Sequence, residues 1–91
     1  MLELHNYMED VVYRTIEKIL EKDNNTCKCM KCKLDIAALA LNNLPPQYTV
    51  TEKGILFTKV KEMEKQYEVD VIREIIKAIA VVSSKPHHES I

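Results

Sequence analysis

Apolar side chains recur every three or four positions in the first twenty residues of the chain. The apolar residues of segment 4–21 are Leu4, Tyr7, Met8, Val11, Val12, Ile16, Ile19 and Leu20. This spacing places them on one face of an amphipathic helix. Asn6 or His5 is a suitable N-cap residue, and the polar run 23–26 predicts the end of the helix.

A second, shorter apolar pattern follows this polar run. It predicts a helix that begins around 30–33 and includes Leu34, Ile36, Ala37, Leu39, Ala40 and Leu41. The helix must end by Leu44, because Pro45 disfavours helical backbone in the residue before it. The β-branched and polar segment 47–57 predicts an extended loop or one short strand.

The third pattern is the longest, since segment 58–82 contains no proline or glycine. Its apolar residues step by three or four: Val60, Met63, Tyr67, Val71, Ile75, Ile79 and Val82. We expect one helix of about 25 residues, roughly 37 Å long, and a break near 68–70 is the alternative. The C-terminal half is apolar on more than one face, which predicts a symmetric homodimer. Ile75→Asp or Ile79→Asp is expected to give a monomer or an insoluble chain, because an unpaired carboxylate would be buried. A monomer that wraps this helix is the competing interpretation.

The composition agrees with one all-α domain that spans residues 1–91. Hydrophobic residues make up 46% and charged residues 30%, and there is one glycine. This balance is typical of a globular protein, and the many Glu, Lys, Leu, Ile and Ala favour helix. The expected fold therefore has two shorter helices and one long C-terminal helix, with a cysteine-rich knot and a Pro-Pro loop between them.

The apolar runs of the sequence indicate the cellular location, and its net charge indicates which class of partner is excluded. No apolar run approaches the roughly 20 residues of a membrane span, and the acidic N-terminus does not resemble a signal peptide. A cytoplasmic protein is expected. The formal net charge of −1 offers no basic field, so direct binding to DNA is not expected.

All three cysteines lie within six residues, at Cys27, Cys29 and Cys32. An odd number of cysteines in one knot argues against a disulfide framework and favours a reducing compartment. Thiolates at C-x-C-x₂-C spacing can converge on one structural Zn²⁺. Plain packing of three small side chains and a redox-sensitive thiol cluster are the alternatives.

A tetrahedral zinc site needs a fourth ligand. The candidates are His5, Asp35, a residue of a partner chain, and the pair His87 and His88 in the C-terminal tail. We favour the histidine pair, because a turn at Pro86 would bring the tail back. No Ser/His/Asp set, phosphate loop or paired-carboxylate signature is visible, so no enzymatic activity is expected.

Tyr48 follows the diproline Pro45-Pro46. A rigid backbone in front of an aromatic residue can present a flat ring to a nucleobase. In the alternative interpretation, Tyr48 packs against Leu44 and the first helix, and the diproline merely ends a helix.

Three stretches of the chain resemble the late-competence-development ComFB family of small bacterial proteins. They are NYMEDVV at 6–12, the cysteine knot, and ALALNNLPPQY at 38–48. The resemblance covers most of the chain, and the core ALNxLPPxY is fairly specific. It implies an all-α symmetric dimer in the cytoplasm, without enzymatic activity. Competence-type relatives carry a similar cysteine knot and bind zinc, with a further cysteine in the tail, where this chain has His87 and His88.

Other branches of the family lack the cysteines and are described as receptors for cyclic dinucleotides such as cyclic di-GMP. Their Asn-Arg-Leu-Pro-Pro-x-Tyr corresponds to 42–48 here, and Asn43 replaces an arginine suited to phosphate or guanine. Lys53, Lys33 or Arg73 would have to substitute for it. The resemblance thus implies a ligand surface formed by Asn42, Asn43, Pro46, Tyr48 and Lys53.

Two functional hypotheses follow. The first is a dimeric receptor for cyclic di-GMP or cyclic di-AMP that carries a structural zinc site and signals to an unknown protein partner. The second is a zinc-stabilised, competence-associated interaction module without a small ligand.

Overall fold

The structure is a computed structural model that describes residues 2–51 and 57–84. In these ranges the chain forms β1 (Glu3–Asn6), α1 (Tyr7–Glu21), α2 (Met30–Leu41), β2 (Tyr48–Thr51), α3 (Phe57–Gln66) and α4 (Glu68–Ser84). No described helix is long and apolar enough to cross a membrane. The chain is mostly helical, and the all-α prediction holds only roughly, because a small sheet accompanies the helices.

The first helix starts later than its apolar spacing predicts. Asn6 has extended backbone (φ −101°, ψ 100°), and its Oδ1 accepts a hydrogen bond from the Met8 backbone N–H at 3.1 Å. This confirms Asn6 as the N-cap of α1. The capping geometry leaves Leu4 outside the helix, where it lies in β1 and is exposed.

The two strands form one antiparallel sheet. Its register pairs Glu3 with Thr51, Leu4 with Val50, His5 with Thr49 and Asn6 with Tyr48. The short strand predicted within 47–57 is confirmed as β2. Its partner β1 was not predicted, because the pairing joins residues more than forty positions apart.

The prediction of one long C-terminal helix is wrong. The helix is divided at Tyr67 into α3 and α4, one residue before the predicted alternative break at 68–70. The Tyr67 N–H still donates to the Met63 carbonyl, and the Val71 N–H to the Tyr67 carbonyl, both at 2.9 Å. The break is therefore a local irregularity without a connecting loop. It accompanies a change of neighbour, since α3 packs mainly on α1 and α4 mainly on α2.

All four helices contribute to one apolar core. The alanines Ala37, Ala40 and Ala78 are buried where α2 and α4 pack, and small side chains let two helices approach closely. Ile75 is fully buried within the single chain, so Ile75→Asp would place a carboxylate in the core of one subunit and would not by itself report on a subunit contact. The exposed apolar residues on the outer face of α4 are Val69, Ile72 and Ile76.

Candidate metal centre and the surface around Tyr48

The linker between α1 and α2 is ordered by Asp23. Its Oδ1 accepts hydrogen bonds from the backbone N–H groups of Asn25 (2.8 Å) and Thr26 (3.3 Å), and its Oδ2 accepts one from Thr26 Oγ1 (2.6 Å). The Thr26 hydroxyl, followed by the Asn25 N–H, lowers the pKa of Asp23. This short-range turn sets the direction of the chain immediately before Cys27.

Cys29 caps the N-terminus of α2. Its backbone is extended (φ −71°, ψ 160°), and its Sγ accepts a hydrogen bond from the Cys32 backbone N–H at 3.4 Å. That N–H lowers the pKa of the Cys29 thiol, and a hydrogen bond with Cys27 adds to the effect. Burial raises the pKa of Cys32 to about 12, together with the hydrogen bonds that its thiol donates to the sulfurs of the other two cysteines. The helix terminus thus favours a thiolate at Cys29.

The three cysteine sulfurs converge. Their Sγ atoms all lie within 4.8 Å of one another, with Cys27 exposed, Cys29 half-buried and Cys32 buried. Zinc–sulfur bonds of about 2.3 Å in a tetrahedron place sulfurs about 3.8 Å apart. The observed limit of 4.8 Å is close to that spacing, so the donor set could hold one metal ion that prefers thiolates. The structure thus brings together the three cysteines that the sequence singled out.

Two of the candidate fourth ligands are not brought to the cysteines. Within 2–51 and 57–84 no histidine or carboxylate joins the sulfur cluster. His5 Nε2 is hydrogen-bonded to Asp10 Oδ2. Asp35 accepts two hydrogen bonds from Lys31 Nζ, at 2.8 and 2.9 Å. His87 and His88 lie outside the described residues, and their role stays a prediction.

The backbone in front of Tyr48 is tied to the start of α1. Asn6 Oδ1, the capping atom, also accepts a hydrogen bond from the Gln47 N–H at 2.8 Å. The Tyr7 N–H donates to the Gln47 carbonyl at 2.9 Å. One side chain therefore starts the helix and positions the residue before Tyr48. Tyr48 itself is 61% exposed on β2, whereas Leu44 is buried.

The two asparagines of the predicted ligand surface lie at the end of α2. The Asn42 N–H closes the helix on the Ala38 carbonyl at 3.1 Å, and Asn43 Nδ2 donates to the Leu39 carbonyl at 3.0 Å. Both side chains are exposed, as is Pro46. Lys53 lies outside the described residues.

The other cations proposed to replace the arginine already have acidic partners. Lys33 Nζ lies 2.8 Å from Glu17 Oε1. Arg73 lies 2.9 Å from Asp70 and 3.6 Å from Glu74. Because each of these positive charges already lies beside a carboxylate, neither side chain is preorganised to bind an anion.

The sequence did not lead us to predict the exposed apolar residues at the β1–β2 sheet. Four apolar residues are exposed there: Leu2 just before β1, Leu4 on β1, and Tyr48 and Val50 on β2. Their period-two spacing was the available signal. It was hidden because Leu4 also fits the helical spacing of α1.

The fold and the site define a small helical domain with a three-thiol cluster at a helix N-terminus. Residues 5–86 match the family model of late competence development protein ComFB, and the chain belongs to the ComFB family. Competence protein ComFB of Bacillus subtilis (strain 168) is 30% identical over 83 residues, which cover 91% of this chain and 85% of that protein. The resemblance noted from the sequence is confirmed.

A solved structure supports the same conclusion for the fold. It is described as the late competence protein ComFB from Bacillus subtilis and matches with a TM-score of 0.73. The match covers 96% of this chain and 98% of that one, at 24% identity.

Proposed function

We propose that this chain is a non-enzymatic, zinc-stabilised regulatory module of the competence type, which acts as a homodimer in the cytoplasm on a protein partner. The observation that carries the proposal is the convergence of three cysteine sulfurs within 4.8 Å. Cysteines that form no disulfide persist in a reducing compartment, which supports the cytoplasmic location.

Zinc explains the cluster better than plain packing does. Packing alone would bury the three side chains together, but Cys27 is exposed and Cys29 only half-buried. The Asp23 turn and the Cys29 cap order short-range backbone on both sides of Cys27. A metal that links this linker to the buried Cys32 would stabilise a domain too small to build a large core.

Elemental analysis tests the metal. Protein purified without chelators is expected to contain up to one zinc per chain, and Cys27→Ser, Cys29→Ser and Cys32→Ser are each expected to reduce that content. Met30→Leu is the matched control, since Met30 lies inside the knot, is exposed and is not a ligand type for zinc. Metal-free wild-type protein would overturn the proposal.

The same preparation identifies the fourth ligand. Replacement of His87 and His88 together by alanine is expected to weaken zinc binding more than His5→Ala does, because His5 is engaged by Asp10. Equal effects in a competition titration with a chelator would mean that the ligand comes from elsewhere.

The homodimer is supported by the amount of apolar surface that one chain leaves exposed. Two groups of apolar residues are exposed in the described part of the chain: Val69, Ile72 and Ile76 on α4, and Leu2, Leu4, Tyr48 and Val50 at the sheet. A second copy would cover such surface. Light scattering is expected to give twice the 10.6 kDa of one chain. A mass of one chain at all concentrations would contradict the dimer.

The second candidate function is a receptor for a cyclic dinucleotide. It is favoured by one observation: Tyr48 is exposed on a backbone held by the Asn6–Gln47 hydrogen bond. An exposed ring on a fixed backbone can stack on a base, and the exposed amides of Asn42 and Asn43 would read base edges. Pro46 and Lys53 would complete the site.

Calorimetry with cyclic di-GMP and cyclic di-AMP decides between the two functions. If the receptor hypothesis holds, Tyr48→Ala is expected to weaken binding about five- to 150-fold, the range of roughly 1–3 kcal/mol for base–aromatic stacking. Tyr48→Phe is the control and should lose little, because it keeps the ring. No heat with either nucleotide at high micromolar concentration would reject the receptor function for this chain.

A further inference from the structure

The three cysteines differ in how far solvent reaches their sulfurs. Cys27 is exposed and Cys29 is half-buried, whereas Cys32 is only 1% exposed. A small oxidant in solution can therefore reach Cys27 and Cys29 directly, but it can oxidise Cys32 only through a neighbouring sulfur. An accessible sulfur beside a second, resolving cysteine is the arrangement typical of thiols that are oxidised reversibly.

Cys29 and Cys32 are held together at the first turn of α2. Cys29 is the N-cap residue, and its Sγ accepts a hydrogen bond from the Cys32 backbone N–H at 3.4 Å. The two sulfurs lie within 4.8 Å of each other. A Cys-x-x-Cys pair at a helix N-terminus is the arrangement found in proteins that cycle between a dithiol and a disulfide. Cys27 lies in the linker before the helix, and no hydrogen bond from its backbone holds the Cys29 sulfur in place.

We infer that Cys29 and Cys32 form a site of reversible oxidation, at which a hydroperoxide converts the two thiols into a disulfide within one chain. Disulfides in the cytoplasm are usually transient and report on oxidants, so the site agrees with the expected reducing location. Sulfurs joined in a disulfide no longer serve as thiolate ligands, and oxidation therefore also releases zinc from the knot. This second effect rests on the proposed zinc-binding function, whereas formation of the disulfide does not.

The reaction consumes one hydroperoxide molecule. The Cys29 sulfur attacks the terminal peroxide oxygen, so that an S–O bond forms and the O–O bond breaks. The other oxygen leaves as an alcohol, or as water from hydrogen peroxide, with the proton of the Cys29 thiol. The Cys32 sulfur then attacks the Cys29 sulfur, the S–S bond forms, and the hydroxide leaves as water with the proton of the Cys32 thiol. The two thiols lose two electrons, which the peroxide gains, and a dithiol reductant reverses the reaction by exchange.

Peptide mapping of the wild-type chain tests the assignment. Trypsin cleaves after lysine, and Lys28 and Lys31 separate the cysteines, so that each cysteine falls in its own peptide. After treatment with hydrogen peroxide and alkylation, Cys27 is expected to be alkylated, and the peptides of Cys29 and Cys32 are expected to be linked. Dithiothreitol should restore three alkylated cysteines. A link to Cys27, a link between two chains, or three thiols that survive peroxide would overturn the inference.

Two variants test the order of the steps. Cys32→Ser removes the resolving sulfur, so oxidation is expected to stop at a Cys29 sulfenic acid, which dimedone labels. Met30→Leu is the matched control, because it removes the exposed thioether between the two cysteines, which peroxide also oxidises. It is expected to form the same disulfide as wild type. Circular dichroism checks the fold of each variant. A folded Cys32→Ser protein without a dimedone adduct on Cys29 contradicts the assigned order, and the wild-type map decides the disulfide even if this variant does not fold.

Zinc release separates this inference from the proposed function. In zinc-loaded wild type, a colorimetric chelator is expected to detect the released zinc at the rate at which the disulfide forms. Zinc that stays bound, with all thiols intact in excess peroxide, overturns the inference and leaves the zinc-binding function standing. A protein that is purified without zinc but forms the disulfide overturns the zinc-binding function and leaves the oxidation site standing.

Discussion

The cysteine knot and the Tyr48 surface are built in different ways. At the knot, Asp23 binds residues two and three positions ahead, and Cys29 binds the backbone of Cys32. At the Tyr48 surface, one hydrogen bond joins Asn6 to Gln47 across 41 positions, and a strand from the start of the chain pairs with β2. The first region is local in sequence, and the second exists only after the chain has folded.

Because of this difference, we expect the two regions to respond differently to metal removal and to substitution. If a metal holds the cysteine knot, the local structure of the knot can be lost when the ion is removed. A contact between distant residues loses only the free energy of the hydrogen bonds that form it. Four measurements test this contrast, from the largest expected effect to the smallest.

If the proposed zinc is bound, its removal is expected to have the largest effect. Structural zinc contributes about 10–16 kcal/mol of apparent binding free energy in small zinc domains, as much as the whole stability of a typical domain. A chelator should therefore lower the melting temperature by more than about 15 °C, or unfold the protein. Thermal melts followed by circular dichroism measure this, with Cys27→Ser as a control that the chelator should not destabilise further. A zinc-free protein with an unchanged melting temperature would show that the knot is stable without metal.

Asn6→Ala is expected to lower the free energy of unfolding by about 2–3 kcal/mol. The change removes one acceptor and leaves two N–H donors, of Met8 and Gln47, without their partner. Asn6→Asp is the matched control and should cost little, because it keeps the acceptor and places a negative charge at the N-terminus of α1. Urea unfolding at neutral pH compares the variants. A loss below about 0.5 kcal/mol for Asn6→Ala would mean that the sheet holds this region without the cap.

The contact between α1 and α3 contains a long-range ionic interaction. Burial alone would raise the pKa of Glu64, but hydrogen bonds from Arg14 (3.1 Å) and Lys18 (3.2 Å), together with their charges, lower it. Because the folded pKa is depressed, the stabilisation is fully present above the ordinary value of 4.5 and is lost as the pH falls through the lower folded value.

Glu64→Gln therefore tests an ionic interaction whose contribution to stability depends on pH. The variant is expected to be less stable than wild type by about 1 kcal/mol or less at neutral pH, since Lys18 is largely exposed. The difference should shrink below pH 4.5. Urea unfolding at several pH values measures it, and a difference that stays constant into strong acid would exclude the ionic contribution.

Asn43→Ala is expected to have the smallest effect, less than about 0.5 kcal/mol. Its side chain is exposed and makes one hydrogen bond within its own turn, to the Leu39 carbonyl. Asn42→Ala is a control for stability only, because Asn42 is also exposed but belongs to the same proposed ligand surface. Because the fold should be unchanged, any effect of Asn43→Ala on nucleotide affinity would report directly on the ligand surface. A large loss of stability would instead assign Asn43 a structural role.

The cysteine knot illustrates what the sequence by itself determined. The spacing of Cys27, Cys29 and Cys32, the polar breaker before them and the apolar steps of α1 and α2 all depend on neighbours within a few residues. Short-range geometry governs such features, so the pattern alone predicted two helices, a cap at Asn6 or His5 and the convergence of the thiols. The stretches at 6–12 and 38–48, together with the cysteine knot, likewise indicated the ComFB family.

The tertiary structure alone decided the remaining features. Leu4 fits both a helical and a strand period, and pairing with Val50 selected the strand. Segment 57–84 contains no helix breaker, yet it divides at Tyr67, where its neighbour changes from α1 to α2. The same packing buries Ile75 and leaves Ile76 exposed on the adjacent face. Each outcome depends on a contact between distant parts of the chain, and local periodicity carries no information about which distant element lies opposite.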